Sequence, residues 1–299
     1  MLSFKRIDLE DKKIIDPYLR ESGYNLCEYC FGNLYIWQGR FKTAYTIKDG
    51  FLLLKGCFDG KCYYLMPCGN GDFISAARQL LEDAMESGHR FIMHCISCER
   101  AEELSAAFGD NIAFTPNETA FDYIYDRESL SNLIGQKYHS KRNFINRFIY
   151  EYGEAEYEDI TPQNIAECRK ISDVWLRDNY SEVTEAMLNE KEAIIRLLNN
   201  FFPLDMRGAI IRINGKICAF TAGEELNGDT FVIHIEKASY DITGAYAVIN
   251  NEFAKRALEG YKYINREEDM GLEGLRKAKR SYNPAFMGKK FTAEIKDEK

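Results

Sequence analysis

His234 and Glu236 lie two residues apart in an apolar run, Phe231–Ile235, and its continuation. In an extended chain Val232, His234 and Glu236 share one face, so both ionisable groups point the same way. Glu236 is the first candidate for a general base or an amine-binding group, with His234 as the alternative. A core histidine bonded to backbone and a surface Glu236–Lys237 pair are the structural readings of the same residues. The segment Thr243-Gly244-Ala245-Tyr246 follows, where a glycine meets the start of a helical pattern (Tyr246, Ile249, Phe253, Ala257). A helix N-terminus offers unpaired N–H groups and partial positive charge, which suits a phosphate.

Beyond the next strand, Tyr261–Ile264, come Asn265-Arg266-Glu267-Glu268-Asp269, then Arg276, Lys277, Lys279, Arg280 and Tyr282-Asn283-Pro284. Asp269 and Glu268 stand where open sheets carry their sites and are candidates to hold a cationic group such as an amine. Ion pairs with Arg266 or Arg276 are the alternative. From Gly271 to Lys290 there are six Lys/Arg and one acid, Glu273. A second basic run, Ser129–Tyr150, has twenty-two residues and no acid, and holds Lys137, His139, Lys141, Arg142 and Arg147. Tyr138, Ile145, Phe148, Ile149 and Tyr152 share one helical face, while Lys137, Lys141 and Arg147 fall largely elsewhere, which describes a basic amphipathic helix. The two runs, through Lys141, Arg142, Arg276 and Lys279, are candidates to hold a polyphosphate or an RNA end. Solvated helix faces are the competing reading.

These residues need elements to position them. Phe41–Ile47 and Phe51–Gly56 flank Lys48-Asp49-Gly50, a hairpin signal. Lys61–Pro67 reads as a third strand, Asp72 caps a helix over Phe73–Ser87, and strand, helix and strand follow to about Thr115. Phe121–Asp126 reads as one more strand. Thr161-Pro162 opens a helix carrying Trp175, and another spans Thr184–Asn199. Asn214-Gly215 marks a second hairpin, and a third strand, helix, strand, helix and a last strand near Lys290–Ile295 follow. The order repeats, which predicts two copies of one α/β unit. We place the division at residues 135/136, with the cleft in 136–299. Gly69-Asn70-Gly71, at the matching loop of the first copy, is a candidate second phosphate seat.

Composition narrows the classes. The chain has 299 residues, 45% hydrophobic and 29% charged, with a net charge of −8. That is an ordinary globular balance and argues against a dedicated nucleic-acid binder. No apolar run approaches the ~20 residues of a membrane helix, and the first fifteen lack the apolar core of a signal peptide, so a cytoplasmic protein is expected. The nine cysteines are expected to be buried free thiols. The pairs Cys27/Cys30 and Cys95/Cys98 lack the flanks of a zinc ribbon, and Cys168 and Cys218 have no histidine partner in sequence.

Several words of the second half resemble a known family. His234-Ile235-Glu236-Lys237-Ala238, Gly244-Ala245-Tyr246, Asn265 to Gly271, Gly274-Leu275-Arg276-Lys277-Ala278-Lys279 and Ser281-Tyr282-Asn283-Pro284 resemble the C-terminal catalytic domain of bacterial phosphatidylglycerol lysyltransferases. They are most similar to its uncharacterised soluble relatives, as are Lys141-Arg142-Asn143 and Asn146-Arg147-Phe148. The resemblance covers nearly the whole chain. It implies an α/β (α+β) fold of two tandem GNAT-like domains, with mixed, mostly antiparallel sheets flanked by helices, related to the Fem peptidyltransferases. It implies an acyl- or aminoacyltransferase with acyl-coenzyme A or charged tRNA as co-substrate, no tightly bound cofactor, and an amine or hydroxyl acceptor. It also makes Tyr282 the candidate that gives a proton to the leaving group, as a tyrosine near this place does in many GNAT enzymes. A packed tyrosine with a bonded hydroxyl is the alternative. The sequence shows no membrane portion such as full lysyltransferases carry, which argues against a lipid acceptor. A non-catalytic module binding a nucleotide-bearing ligand or RNA in the same cleft is the competing function.

Overall fold

The computed structural model describes residues 1–179 and 184–296. The chain divides into two compact units. Met1–Asp122, Glu268–Leu272 and Met287–Lys299 form the first; Tyr123–Glu267 and Glu273–Phe286 form the second. The division thus falls at 122/123 rather than at the expected 135/136, and the C-terminal segment belongs to the first unit.

In the first unit, β1 (Lys5–Arg6), α1 (Lys12–Ser22), α2 (Phe31–Ile36) and α3 (Gln38–Phe41) precede the repeated pattern. Then come β2 (Ala44–Lys48), β3 (Phe51–Phe58), β4 (Lys61–Tyr64), β5 (Cys68–Gly69), α4 (Phe73–Glu86), β6 (Ile92–Ile96), α5 (Cys98–Phe108) and β7 (Ile112–Pro116). The β2–β3 turn uses Asp49 and Gly50, both at positive φ (50° and 79°), as a tight hairpin requires. Cys57 and Cys62 face each other across β3 and β4 and form a disulfide, so two of the nine cysteines are paired, against expectation. Register places them together; sequence spacing alone does not show which residues of a hairpin oppose. Asp72 caps α4 by accepting the Ser75 N–H at 3.0 Å, so the helix N-terminus behind Gly69-Asn70-Gly71 already holds a carboxylate. A Cβ on Gly69 would lie 2.5 Å from the Gly50 carbonyl oxygen, which accounts for that glycine by packing.

The sheet runs β1-β2-β3-β4-β6, then the C-terminal strand Phe291–Ile295, then β7. That strand therefore does not close the second copy, as its position in sequence suggested. Lys290 anchors it. The ammonium is buried, 2.7 Å from both Glu28 and Asp122 and 3.4 Å from the Cys27 sulfur. Lys290 is thereby withdrawn from the basic run Gly271–Lys290. Cys27, Asp122 and Glu268 lie within metal-ligand reach of one another, but this lysine supplies their cation. Cys27, Cys30, Cys95 and Cys98 are free thiols.

From Tyr123 on, the second unit holds β8 (Asp122–Asp126), α6 (Arg127–Asn132), α7 (His139–Tyr152), β9 (Glu156–Asp159), α8 (Ile165–Asn179) and α9 (Glu185–Asn199). It continues with β10 (Arg207–Ile213), β11 (Lys216–Asn227), β12 (Thr230–Ala238), α10 (Ala245–Arg256), β13 (Tyr263–Asn265) and α11 (Glu273–Arg280). The Trp175 side chain on α8 lies outside the described residues. From β8 the sheet order is β8-β13-β12-β11-β10-β9. Of the pairings within it only β12–β13 is parallel. Asn214 and Gly215 make the expected β10–β11 turn with φ of 51° and 74°. Ala209–Ile211 and Phe231–Ile233 are buried runs, the mark of strands covered on both faces. Hairpin, third strand, helix, strand, helix recurs in both units, as the repeat predicted.

Candidate active site

The site of the second unit begins at an irregularity in β12. Ile233 pairs with Gly223 and Ile235 with Ala222, leaving His234 unopposed as a β-bulge. Gly223 is obligatory there, since a Cβ would lie 1.9 Å from the Val232 carbonyl oxygen. A bulge re-aims side chains, and His234 and Glu236 go to different partners.

His234 is fully buried between two carboxylates. Nε2 lies 2.9 Å from Glu224 and Nδ1 2.8 Å from Glu267. Burial alone would lower its pKa, but hydrogen bonds to Glu224 and Glu267 more than offset this and raise it to about 9. His234 is therefore an imidazolium with both ring nitrogens committed, which corrects its reading as an alternative base.

Glu236 faces the end of β13. Its Oε1 accepts from Arg266 Nη2 at 2.6 Å, and its Oε2 from Asn250 Nδ2 on α10 at 3.3 Å. Arg266 is largely buried. Burial opposes its charge, but Glu236 holds it cationic. Its guanidinium carbon sits 4.8 Å from the Tyr282 ring centre and 5.7 Å from that of Tyr125. On the other side of the network, Lys141 Nζ lies 3.8 Å from the Tyr282 ring centre. Tyr282 is buried, and burial raises its phenol above the ordinary value, so it is a neutral hydroxyl at any physiological pH. The Tyr125 hydroxyl donates to the Lys279 carbonyl at 2.8 Å and fixes the segment that presents Tyr282.

Lys141 departs from the expected amphipathic pattern. It is 8% exposed, on the buried stripe of α7 with Phe148 and beside Tyr138, while Tyr150 points outward. At 100° per residue, position 141 falls inside the stripe formed by 138, 145, 148 and 152. Its charge, rather than its angle, suggested an outward face. Among the described residues Lys141 has no carboxylate partner. Burial, then the Arg266 charge, lowers its pKa to about 8, and Glu236 only partly offsets them. The inner network thus holds two cations, one carboxylate and a neutral phenol. Two of its polar atoms, Arg266 Nη1 and Asn250 Oδ1, are buried without a hydrogen-bond partner among the described residues.

Other expected residues are placed elsewhere. Asp269 belongs to the first unit, buried, where its carboxylate accepts the Gly271 N–H at 2.8 Å in a turn. Lys279 is buried, its ammonium donating to the carbonyls of Arg266 and Glu267, so it braces the chain after β13. Arg142 donates to the carbonyls of Leu133 and Gly135 and closes the α6–α7 connection. Both corrections have one cause: long cations satisfy carbonyls at loop ends, which sequence does not reveal. Arg276 is half-buried on α11. Thr243 is half-buried, Ala245 buried and Tyr246 exposed. Gly244 caps α10 with φ 88°, and a Cβ there would lie 2.3 Å from the Phe144 carbonyl oxygen. What this glycine satisfies is the close pass of α7. Asn250, Arg266 and Tyr125 were not read as site residues. The Asn250-Asn251 pair within an otherwise apolar helix face was the available signal.

Known proteins share this architecture. A conserved protein of unknown function from Bacteroides thetaiotaomicron is 42% identical over 99% of this chain and 100% of its own, with a TM-score of 0.95. L-PGS from Bacillus licheniformis shares the fold at 17% identity, over 100% of this chain and 95% of its own, with a TM-score of 0.71. FemX does so at 8% identity, over 99% and 98%, with a TM-score of 0.64, and the fold extends to a tandem GNAT protein at a TM-score of 0.52. An uncharacterised protein of Mycoplasmoides gallisepticum is 22% identical over 184 residues, and the match spans 60% of this chain and 58% of that relative. No helix among the described residues is long and apolar enough to cross a membrane. Residues 20–294 match the family described as phosphatidylglycerol lysyltransferase, C-terminal, and the chain belongs to that family.

Proposed function

We propose that this protein is an acyltransferase that moves an acyl or aminoacyl group from a carrier to an amine or hydroxyl acceptor, with its chemistry in the second unit. The observation that carries this reading is the buried Lys141–Tyr282–Arg266–Glu236 network, which has one more cation than it has carboxylates. Such a site is complementary to negative charge that develops during reaction, because its dipoles and cations are already in place. Lys141 and the free Arg266 Nη1 would face the oxygen of the tetrahedral intermediate. Glu236, held by Arg266 and Asn250, orients these groups rather than acting as a free base. Tyr282, a neutral phenol, would give its proton to the leaving group and recover one from the attacking nucleophile.

The basic residues favour a compact carrier such as acyl-coenzyme A over charged tRNA. Lys141, Arg142 and Lys279 point inward or hold carbonyls, Arg147 pairs with Glu151 at 2.6 Å, and Lys277 with Glu273 at 2.7 Å. A continuous phosphate track along α7 and α11 is thereby interrupted. The experiment is a transfer assay with labelled acetyl-coenzyme A or aminoacylated tRNA and a mixture of amine and hydroxyl acceptors. Label should reach an acceptor from one donor. Stabilisation by a carrier without turnover would support the non-catalytic binding module instead.

A further inference from the structure

Asn250 is 2% exposed, and its amide is only half used. Nδ2 donates to Glu236, while Oδ1 has no hydrogen-bond partner among the described residues. Its neighbour shows the contrast: Asn251 Nδ2 donates to the Leu130 and Ser131 carbonyls at 2.6 and 2.7 Å. A buried amide oxygen without a donor is costly, so Oδ1 is a ready acceptor beside the network that carries the proposed chemistry.

We infer that Asn250 seats the N–H of the acceptor, and that the site selects primary amines over alcohols; this rests on the acyl-transfer reading above. The reaction is R–CO–X + R′–NH2 → R–CO–NH–R′ + HX. A C–N bond forms, the C–X bond breaks, and one amine proton passes through Tyr282 to X. An amine has a second N–H, which stays on Oδ1 through the intermediate and in the amide product. An alcohol gives up its only O–H when the bond forms, so Oδ1 would be left unpaired at the point of highest energy. That difference lies in the transition state, where it changes rate. Base strength points the same way. Glu236, the carboxylate of this network, is paired with Arg266 and poorly placed to strip a hydroxyl. A neutral amine attacks without prior deprotonation, and the excess positive charge of Lys141 and Arg266 disfavours its ammonium form.

The test uses the full chain and two matched probes, glycinamide and glycolamide, which differ in bearing an amino or a hydroxyl group. With labelled acetyl-coenzyme A as donor, glycinamide should be acylated at least about tenfold faster than glycolamide, and Asn250→Leu should abolish the difference. With acetyl-coenzyme A as donor, the labelled product should resist neutral hydroxylamine, as an amide does and an ester does not. Equal acylation rates for the two probes, an undiminished preference in Asn250→Leu, or a hydroxylamine-labile product would overturn the inference. If Asn250→Leu does not fold, Asn250→Ala removes the same oxygen with less volume and carries the same outcomes. A wild-type protein stabilised by no carrier and transferring no label defeats the acyl-transfer reading, whereas transfer to alcohols alone defeats only the amine preference.

Discussion

Replacing Lys141 by Met should make the fold more stable. The lysine is buried without a carboxylate partner, and its pKa of about 8 compares with 10.5 for a free side chain. At 1.36 kcal/mol per tenfold, that difference means the charged form costs the folded state about 3 kcal/mol near pH 7. The ammonium also rests on the Tyr282 ring, a contact that contributes on the order of 1 kcal/mol. The net gain for Lys141→Met is therefore about 2 kcal/mol, or roughly 4–8 °C in melting temperature. The sign follows from the folded pKa lying below the unfolded one. The cost is full below pH 8, shrinks as pH rises from about 8 to 10.5, and vanishes above. Melting curves of both proteins between pH 6.5 and 10.5 measure it. Residues retained against stability are a mark of function. A variant less stable than wild type at pH 7, by an amount independent of pH, would refute the reasoning and make Lys141 a structural residue.

Three further outcomes follow from the geometry. Gly244→Ala should destabilise by roughly 3 kcal/mol, because the new Cβ meets the Phe144 carbonyl at 2.3 Å in a left-handed conformation; urea unfolding checks it. Arg142→Ala should cost about 2 kcal/mol by leaving the Leu133 and Gly135 carbonyls unpaired, while carrier affinity in the folded fraction stays unchanged by titration calorimetry. The stabilising contribution of His234, whose folded pKa is raised to about 9, should be complete below pH 6.5 and fade as pH rises through 9; His234→Gln should lower stability and flatten that part of the stability–pH curve.

The architecture was legible because turn chemistry and apolar runs are local. Asp49-Gly50 and Asn214-Gly215 turn where their dipeptides say they must, and the strand–helix order around them identifies the repeated unit. What failed was non-local. The strand Phe291–Ile295 follows the second copy in sequence but pairs with β6 and β7, a fact of topology that no window of residues contains. Glu236 and Tyr282 could be named because a carboxylate at a strand end and a tyrosine after a basic helix are unusual in themselves. Arg266 and Asn250 could not, since their roles depend on both reaching one carboxylate. Lys141, Arg142 and Lys279 read alike as surface cations. The structure separates them by what their nitrogens meet: an aromatic face in the first case, backbone carbonyls in the other two.

The most direct test is single-turnover acyl transfer by wild type, Lys141→Met and Tyr282→Phe, each with its melting temperature measured in the same buffer. If the Lys141–Tyr282–Arg266 network stabilises the developing oxyanion and its leaving group, Lys141→Met should transfer at least about a hundredfold more slowly while melting no lower than wild type. Tyr282→Phe should be slowed with little change in stability. Wild-type transfer rates in both variants would place the chemistry outside this network and contradict the account.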